Sequence, residues 1–126
     1  MNALSLPFLI GIFFGGGTGS VLRHILGVWL NQRHLMPMGT LAANLLATAL
    51  LAFVSFRIAE RFPDGHVLPA ALAIGLCGGF STFSTFSADT HRLFAGGHWM
   101  WGTLNIALSV LGCMAVFALV AGTLRR

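Results

Sequence analysis

Lysine and tyrosine are absent from this chain of 126 residues, and only ten side chains carry a formal charge, seven arginines and three carboxylates. Soluble domains carry about 25% charged residues; here the figure is 8%, against 56% hydrophobic residues and a mean hydropathy of +0.86. Ten charges cannot cover a globule with a polar surface, which excludes an ordinary water-soluble domain. The net charge of +4 and a pI near 11.2 raise the question of a nucleic-acid partner. The arginines are scattered among long apolar runs and form no basic stripe, so no nucleic acid is expected. Two cysteines, Cys77 and Cys113, form no metal-type spacing, and the five histidines fall at the ends of apolar runs or in loops. Neither pattern suggests an enzyme.

What the chain does contain is membrane-length apolar sequence. A spanning helix needs about 20 mostly apolar residues, and the charges and prolines punctuate four such runs, about 4–29, 38–56, 67–93 and 98–124. All four prolines, Pro7, Pro37, Pro63 and Pro69, fall in loops or first helical turns, where a missing N–H costs nothing. Trp29, Trp99 and Trp101 sit at span ends, as interfacial aromatics do, and belong to one membrane face. No positively charged n-region precedes the first run and no clear small-residue cleavage site follows it, so that span is expected to be retained. The expectation is an all-α integral membrane protein, a single four-helix domain over residues 1–126 embedded in a lipid bilayer.

Within the first span Gly11, Gly15 and Gly19 recur every four residues and share one helical face, which continues to Arg23 and Gly27. Small residues at that spacing let helix backbones approach closely in lipid. A packing face is favoured over a flexible Gly15–Gly17 turn, and association with a second copy is the expectation that follows. Arg23 is the one arginine well inside an apolar run. It either snorkels to the nearby interface or lines a wet vestibule that attracts anions. In the second span Thr40, Asn44 and Thr48 share a face, and in the fourth Asn105, Ser109 and Cys113 do so at the same spacing. A membrane amide must find a partner, so Asn44 either glues helices together or belongs to a polar track.

The third span is the most unusual. Residues 75–86 read Gly-Leu-Cys-Gly-Gly-Phe-Ser-Thr-Phe-Ser-Thr-Phe, a glycine cluster followed by repeated aromatic and hydroxyl residues. Phe80, Phe83 and Phe86 step every three residues, as do Ser81, Ser84 and Ser87, so each stripe drifts slowly around a helix. Broken backbone at membrane depth is tolerated only where protein buries it or where it lines a cavity. Gly78-Gly79 is expected to break the helix and free carbonyls for a cation, while the restarting helix offers N–H groups to an anion. Aromatic rings carry a positive edge that can solvate a small anion without formal charge. The plainer alternative is a kinked helix whose phenylalanines only pack.

On three blocks, Gly-Gly-Gly-Thr-Gly-Ser-Val-Leu-Arg at 15–23, Gly-Thr-Leu-Ala-Ala-Asn at 39–44 and Gly-Gly-Phe-Ser-Thr-Phe-Ser-Thr-Phe at 78–86, the chain resembles the bacterial fluoride-channel family called Fluc or CrcB. The resemblance implies four-helix subunits with a break in the third helix, paired as antiparallel, dual-topology homodimers with two fluoride pores and a central structural sodium ion. It implies passive fluoride export across the bacterial inner membrane, relieving fluoride toxicity. By position, Phe83 and Phe86 match the phenylalanines whose ring edges face fluoride, and Asn44 the pore asparagine. Thr40, Ser84, Ser87 and Ser109 are candidates for the adjoining polar track, and Arg23 matches the first-span arginine near the vestibule. Gly78 and Ser81 match the positions whose backbone carbonyls hold sodium. Ser81 stands where threonine is more usual, Asn105 where an aromatic can occur and Cys113 where serine can occur.

Two other classes compete with a channel. A small multidrug exporter of dual topology is also a four-helix protein of this length, but it needs a membrane-embedded carboxylate. Asp89, the only acidic residue near a span, lies towards a helix end. A non-conducting structural subunit predicts instead that the purified protein moves no ion.

Overall fold

The computed structural model describes residues 3–31 and 34–125. Four helical spans, Leu6–Leu30, Met38–Arg61, Val67–Ala95 and Trp99–Leu124, are each long and apolar enough to cross a membrane. No strand occurs among the described residues. At a rise of about 1.5 Å per residue, each is longer than the roughly 30 Å of a bilayer's hydrocarbon core. The outward faces carry Phe13, Phe14, Leu111 and Leu119, all exposed, which suits lipid as the surrounding solvent. This is a multi-pass membrane protein.

Local chemistry sets the ends of these spans. Pro7 occupies the first turn of the first span, where its missing N–H is no loss. Asn31, at that span's C-terminus, turns back so that its Oδ1 accepts from Gly39 N–H at 2.7 Å, satisfying an orphan donor at the start of the second span. The second span is α-helical to Phe53, widens through a π-helical turn at Val54–Ile58 and closes with a tight turn at Ala59–Arg61. Arg57 and Arg61 therefore ride on a helix end rather than in a free loop. Arg33 and Arg126, which enter the charge balance of the two membrane faces, lie outside the described residues.

The glycine face of the first span packs inside the protomer. A methyl group at Gly15 or Gly19 would strike the backbone of Ala71 or Leu76 in the third span, so only glycine permits the approach. Within one chain that glycine face already has a neighbour, the third span. Behind it, Ala43 and Ala47 of the second span pack on Phe80, with Leu26 beside them, as the protomer's apolar core.

The third span runs helically from Val67, with a π-helical stretch at Ala71–Cys77, as far as Phe80. Gly78 keeps helical dihedrals (φ −64°, ψ −39°). The extended residues are Ser81 (φ −76°, ψ 157°) and Thr82 (φ −155°, ψ 121°), after which Phe83–Ala95 is helical again. The backbone change expected at the glycines thus lies two residues further on. A tight turn then closes the hairpin to the fourth span, with His98 N–H donating to Leu93 O at 2.8 Å. Phe94 packs its ring 5.1 Å from Trp99. At the other end of the fourth span, Arg125 lies 4.6 Å over the Phe56 ring, which also meets Phe117 edge-on.

Candidate functional site

The extended pair Ser81–Thr82 stands where three spans meet, and the second span holds it there. Asn44 Oδ1 accepts from Thr82 N–H at 2.7 Å, and Asn44 Nδ2 donates to Thr82 O at 3.2 Å. A side-chain amide thus does for Thr82 what a neighbouring strand would do, satisfying both polar groups of a residue that has left the helical ladder. The Thr82 hydroxyl accepts from Thr85 N–H at 3.2 Å, an N-cap that starts the next helical segment. Both readings of Asn44 therefore meet in one residue: it joins two spans and it lines a cavity.

That cavity, of about 220 Å³, is bounded by Asn44 and Thr48 of the second span, Ser81, Thr82, Phe83 and Phe86 of the third, and Ser109, Val110 and Cys113 of the fourth. The Phe83 and Phe86 rings lie 5.4 Å apart and tilted. Phe86 is 8% exposed and Phe83 78%, so one ring is anchored and the other stands on the open side. Phe80, the third member of the repeat, is in the apolar core instead. The Ser109 hydroxyl is buried and has no hydrogen-bond partner among the described residues. A buried hydroxyl without a partner costs free energy, and this one borders a cavity.

A second cavity of about 380 Å³ gathers Ser20, Arg23, His24, Asn31, Thr40 and Thr85. Arg23 donates to Ser81 O at 3.4 Å and forms no ion pair among the described residues. Arg23 of this cationic cavity therefore reaches the extended segment that lines the aromatic, hydroxyl-lined one. Thr40 donates to Asp89 Oδ2 at 2.8 Å, and Asp89 also pairs with Arg92 at 3.2 Å. Gly78 and Ser81 share a third recess of about 110 Å³ with Thr48 and Cys77.

The residues singled out from sequence are thus distributed unevenly. Asn44, Phe83, Phe86 and Ser109 come together in the first cavity, and Arg23 and Thr40 in the second. Ser84 reaches the Thr82 hydroxyl at 3.2 Å, while Ser87 donates back to Phe83 O at 2.9 Å and borders an outer groove beside Phe83 and Phe86. Of the fourth-span stripe, Ser109 and Cys113 line the first cavity, but Asn105 does not; its amide donates to Thr90.

Thr82 and Asp89 were not singled out as site residues. Thr82 gave no signal of its own, being one hydroxyl among many. Asp89 did give one: a carboxylate within a span is a functional candidate by default, and it is buried at 8% exposure although it lies towards the span's end.

Fold and site together define a small multi-pass membrane protein whose spans enclose cavities of mixed aromatic and polar lining. A family model described as "CrcB-like protein, Camphor Resistance (CrcB)" matches residues 10–123, and the chain belongs to this family. It is similar to the protein named "Fluoride-specific ion channel FluC" of Escherichia fergusonii, 39% identical over 115 residues that cover 90% of this chain and 91% of that one. Proteins of the same name from Escherichia coli O139:H28 and O9:H4 are 38% identical over the same shares.

Proposed function

We propose that this protein is a fluoride-selective channel that lets fluoride leave the cell passively across the bacterial inner membrane. Its relatives are named fluoride-specific ion channels, and it belongs to a channel family rather than to a class of enzymes. The observation that carries the reading is the first cavity. It sets two phenylalanine rings, an asparagine amide and a buried hydroxyl with no partner among the described residues around a space large enough for a small ion. Ring edges and hydroxyl protons are the groups a small, strongly hydrated anion needs in place of water. Arg23, with no carboxylate partner among the described residues, supplies positive potential on the approach side. Asp89, the carboxylate a drug–proton exchanger would need, is already engaged by Thr40 and Arg92.

The working unit in this reading is an antiparallel pair of copies inserted in opposite orientations. Support comes from the open side of the site: Phe83 is exposed on one protomer and Gly78 faces outward, so a second copy would complete both. In the same reading a sodium ion sits between the copies. The Gly78 and Ser81 carbonyls suit a hard cation, which takes oxygen ligands, Ser81 O offering the lone pair that Arg23 does not take. Thr82 N–H, the helical partner a Gly78 carbonyl would otherwise have, is bonded to Asn44. The two carbonyls supply part of a shell, and the same pair from a second copy would enlarge it.

The deciding experiment uses purified protein in liposomes loaded with potassium fluoride, read by an external fluoride electrode. Rapid valinomycin-dependent release is expected. Release no faster than from empty liposomes would leave the structural-subunit reading in its place.

A further inference from the structure

We propose that Asn105 and Thr90 are positioning residues that hold Phe86 at its place in the first cavity through a two-bond relay from the fourth span. Asn105 is 1% exposed and Thr90 is buried, and polar groups at such depth are costly unless hydrogen-bonded. Asn105 Nδ2 donates to Thr90 Oγ1 at 2.9 Å, and Thr90 Oγ1 donates to Phe86 O at 2.7 Å. The direction follows from the chemistry. A hydroxyl has one proton, and Phe86 O, a pure acceptor, takes it, so Thr90 can only accept from Asn105.

The relay bears on the site through its two ends. Phe86 O already faces the Thr90 N–H in the regular helical ladder, and the hydroxyl adds a second donor, a pattern that bends helices locally. The bond from Asn105 fixes the hydroxyl in that rotamer, and bonds in series strengthen one another. On the fourth span, Asn105 and Ser109 are one turn apart on the same face. Ser109 borders the first cavity, as does Phe86. One helix face therefore lines the cavity directly through Ser109 and reaches a second lining residue, Phe86, through Thr90. The relay accounts for an asparagine that spacing alone assigned to the polar track.

The flux consequence rests on the channel reading above, so the test has a readout independent of transport. Thr90→Val, Asn105→Leu and the double variant are made in the full chain, together with Thr90→Ser, which keeps the hydroxyl. With 4-fluorophenylalanine at position 86, fluorine-19 resonances should move to a common position in Thr90→Val, Asn105→Leu and the double variant, and stay in place in Thr90→Ser. In liposomes each single change should slow fluoride release about fivefold, the worth of one hydrogen bond, and the double should be no slower than the slower single. In a Phe86→Ile background, Asn105→Leu should change release less than twofold. Additive losses, or an unmoved resonance in both single variants, would overturn the relay. Should Asn105→Leu fail to fold, the isosteric Thr90→Val decides alone. A wild-type protein that moves no fluoride would sink the channel reading, and the resonances would still decide the relay.

Discussion

The side-chain amide of Asn44 pairs with both backbone polar groups of Thr82, across 38 residues of sequence and between two spans. Ser81 and Thr82 can hold extended dihedrals at membrane depth because this amide takes up what the helix no longer satisfies. Asn44→Leu, close in size, would leave a donor and an acceptor unmet, each at a cost of about 1–3 kcal/mol. The thermal midpoint of the detergent-purified protein should fall clearly, and fluoride release with it. Asn44→Asp keeps an acceptor for Thr82 N–H but loses the donor to Thr82 O, and should fall between the two. A wild-type melting curve for Asn44→Leu would show that the pairing does not hold the segment.

The three phenylalanines of the repeat separate stability from transport. Phe80 packs on Ala43, Ala47 and Leu26, so Phe80→Ala should cost about 3–5 kcal/mol of stability by leaving a cavity. Phe83 is largely exposed on the protomer, and Phe83→Ile should barely alter the melting of the fold. Its effect should appear in transport, because an aliphatic side chain offers no positive ring edge. Fluoride release should slow roughly tenfold or more in Phe83→Ile and Phe86→Ile, equivalent to about 1.4 kcal/mol at the barrier, and far less in Phe80→Ile. Equal, mild effects at all three positions would reduce the rings to packing.

The four spans were legible because ten charges and four prolines leave little room for other boundaries. The polar faces were legible from four-residue spacing, and Asn44 and Ser109 of two such faces border one cavity. What spacing cannot supply is the partner. The small-residue face at Gly15 and Gly19 was evident, yet its neighbour proved to be the third span of the same chain. Asn105 lies on the same stripe as Ser109, but Thr90 captures its amide before it reaches the cavity. The helix was expected to open at Gly78-Gly79, the weakest local sequence. It opens at Ser81 and Thr82, because Asn44 and Arg23 offer the released backbone groups partners there and the Thr82 hydroxyl accepts from Thr85 N–H to restart the helix. A tertiary contact outweighs local propensity at that point.

The sodium proposal makes opposite demands on two neighbouring residues. If carbonyl oxygens are the ligands, Ser81→Ala should retain sodium dependence and most of the fluoride release. Gly78 is the complementary case. A Cβ there meets nothing within 4 Å in the protomer, so Gly78→Leu should leave the protomer's fold intact. Its bulk would instead fall where a second copy and the ion are proposed to sit, and pairing, sodium dependence and release should be lost together. Crosslinking in liposomes and release with sodium replaced by a large organic cation would measure these. Normal pairing and transport in Gly78→Leu would remove this face from the interface.

Charge at the two membrane faces bears on orientation. Arg57 and Arg61 at the end of the second span share a face with Arg125, and Arg126 follows in sequence. Arg92 lies towards the opposite face, as does Arg33 by sequence, and Arg92 is already paired with Asp89. Arginine in short loops and near span ends biases that side to the cytoplasm. Four against two is a small margin for orienting a whole protein, and Arg23, near the second face, narrows it. A reporter fused to the C-terminus should therefore be found on both sides of the inner membrane. Two or three lysines added within residues 62–66 should drive a single orientation and reduce fluoride resistance of the host. Co-expression with a variant carrying lysines beside Arg92 should restore it, because the two orientations would then be supplied by separate chains. A single fixed orientation of the unmodified chain would remove the antiparallel pair, and with it the proposed completion of the site by a second copy.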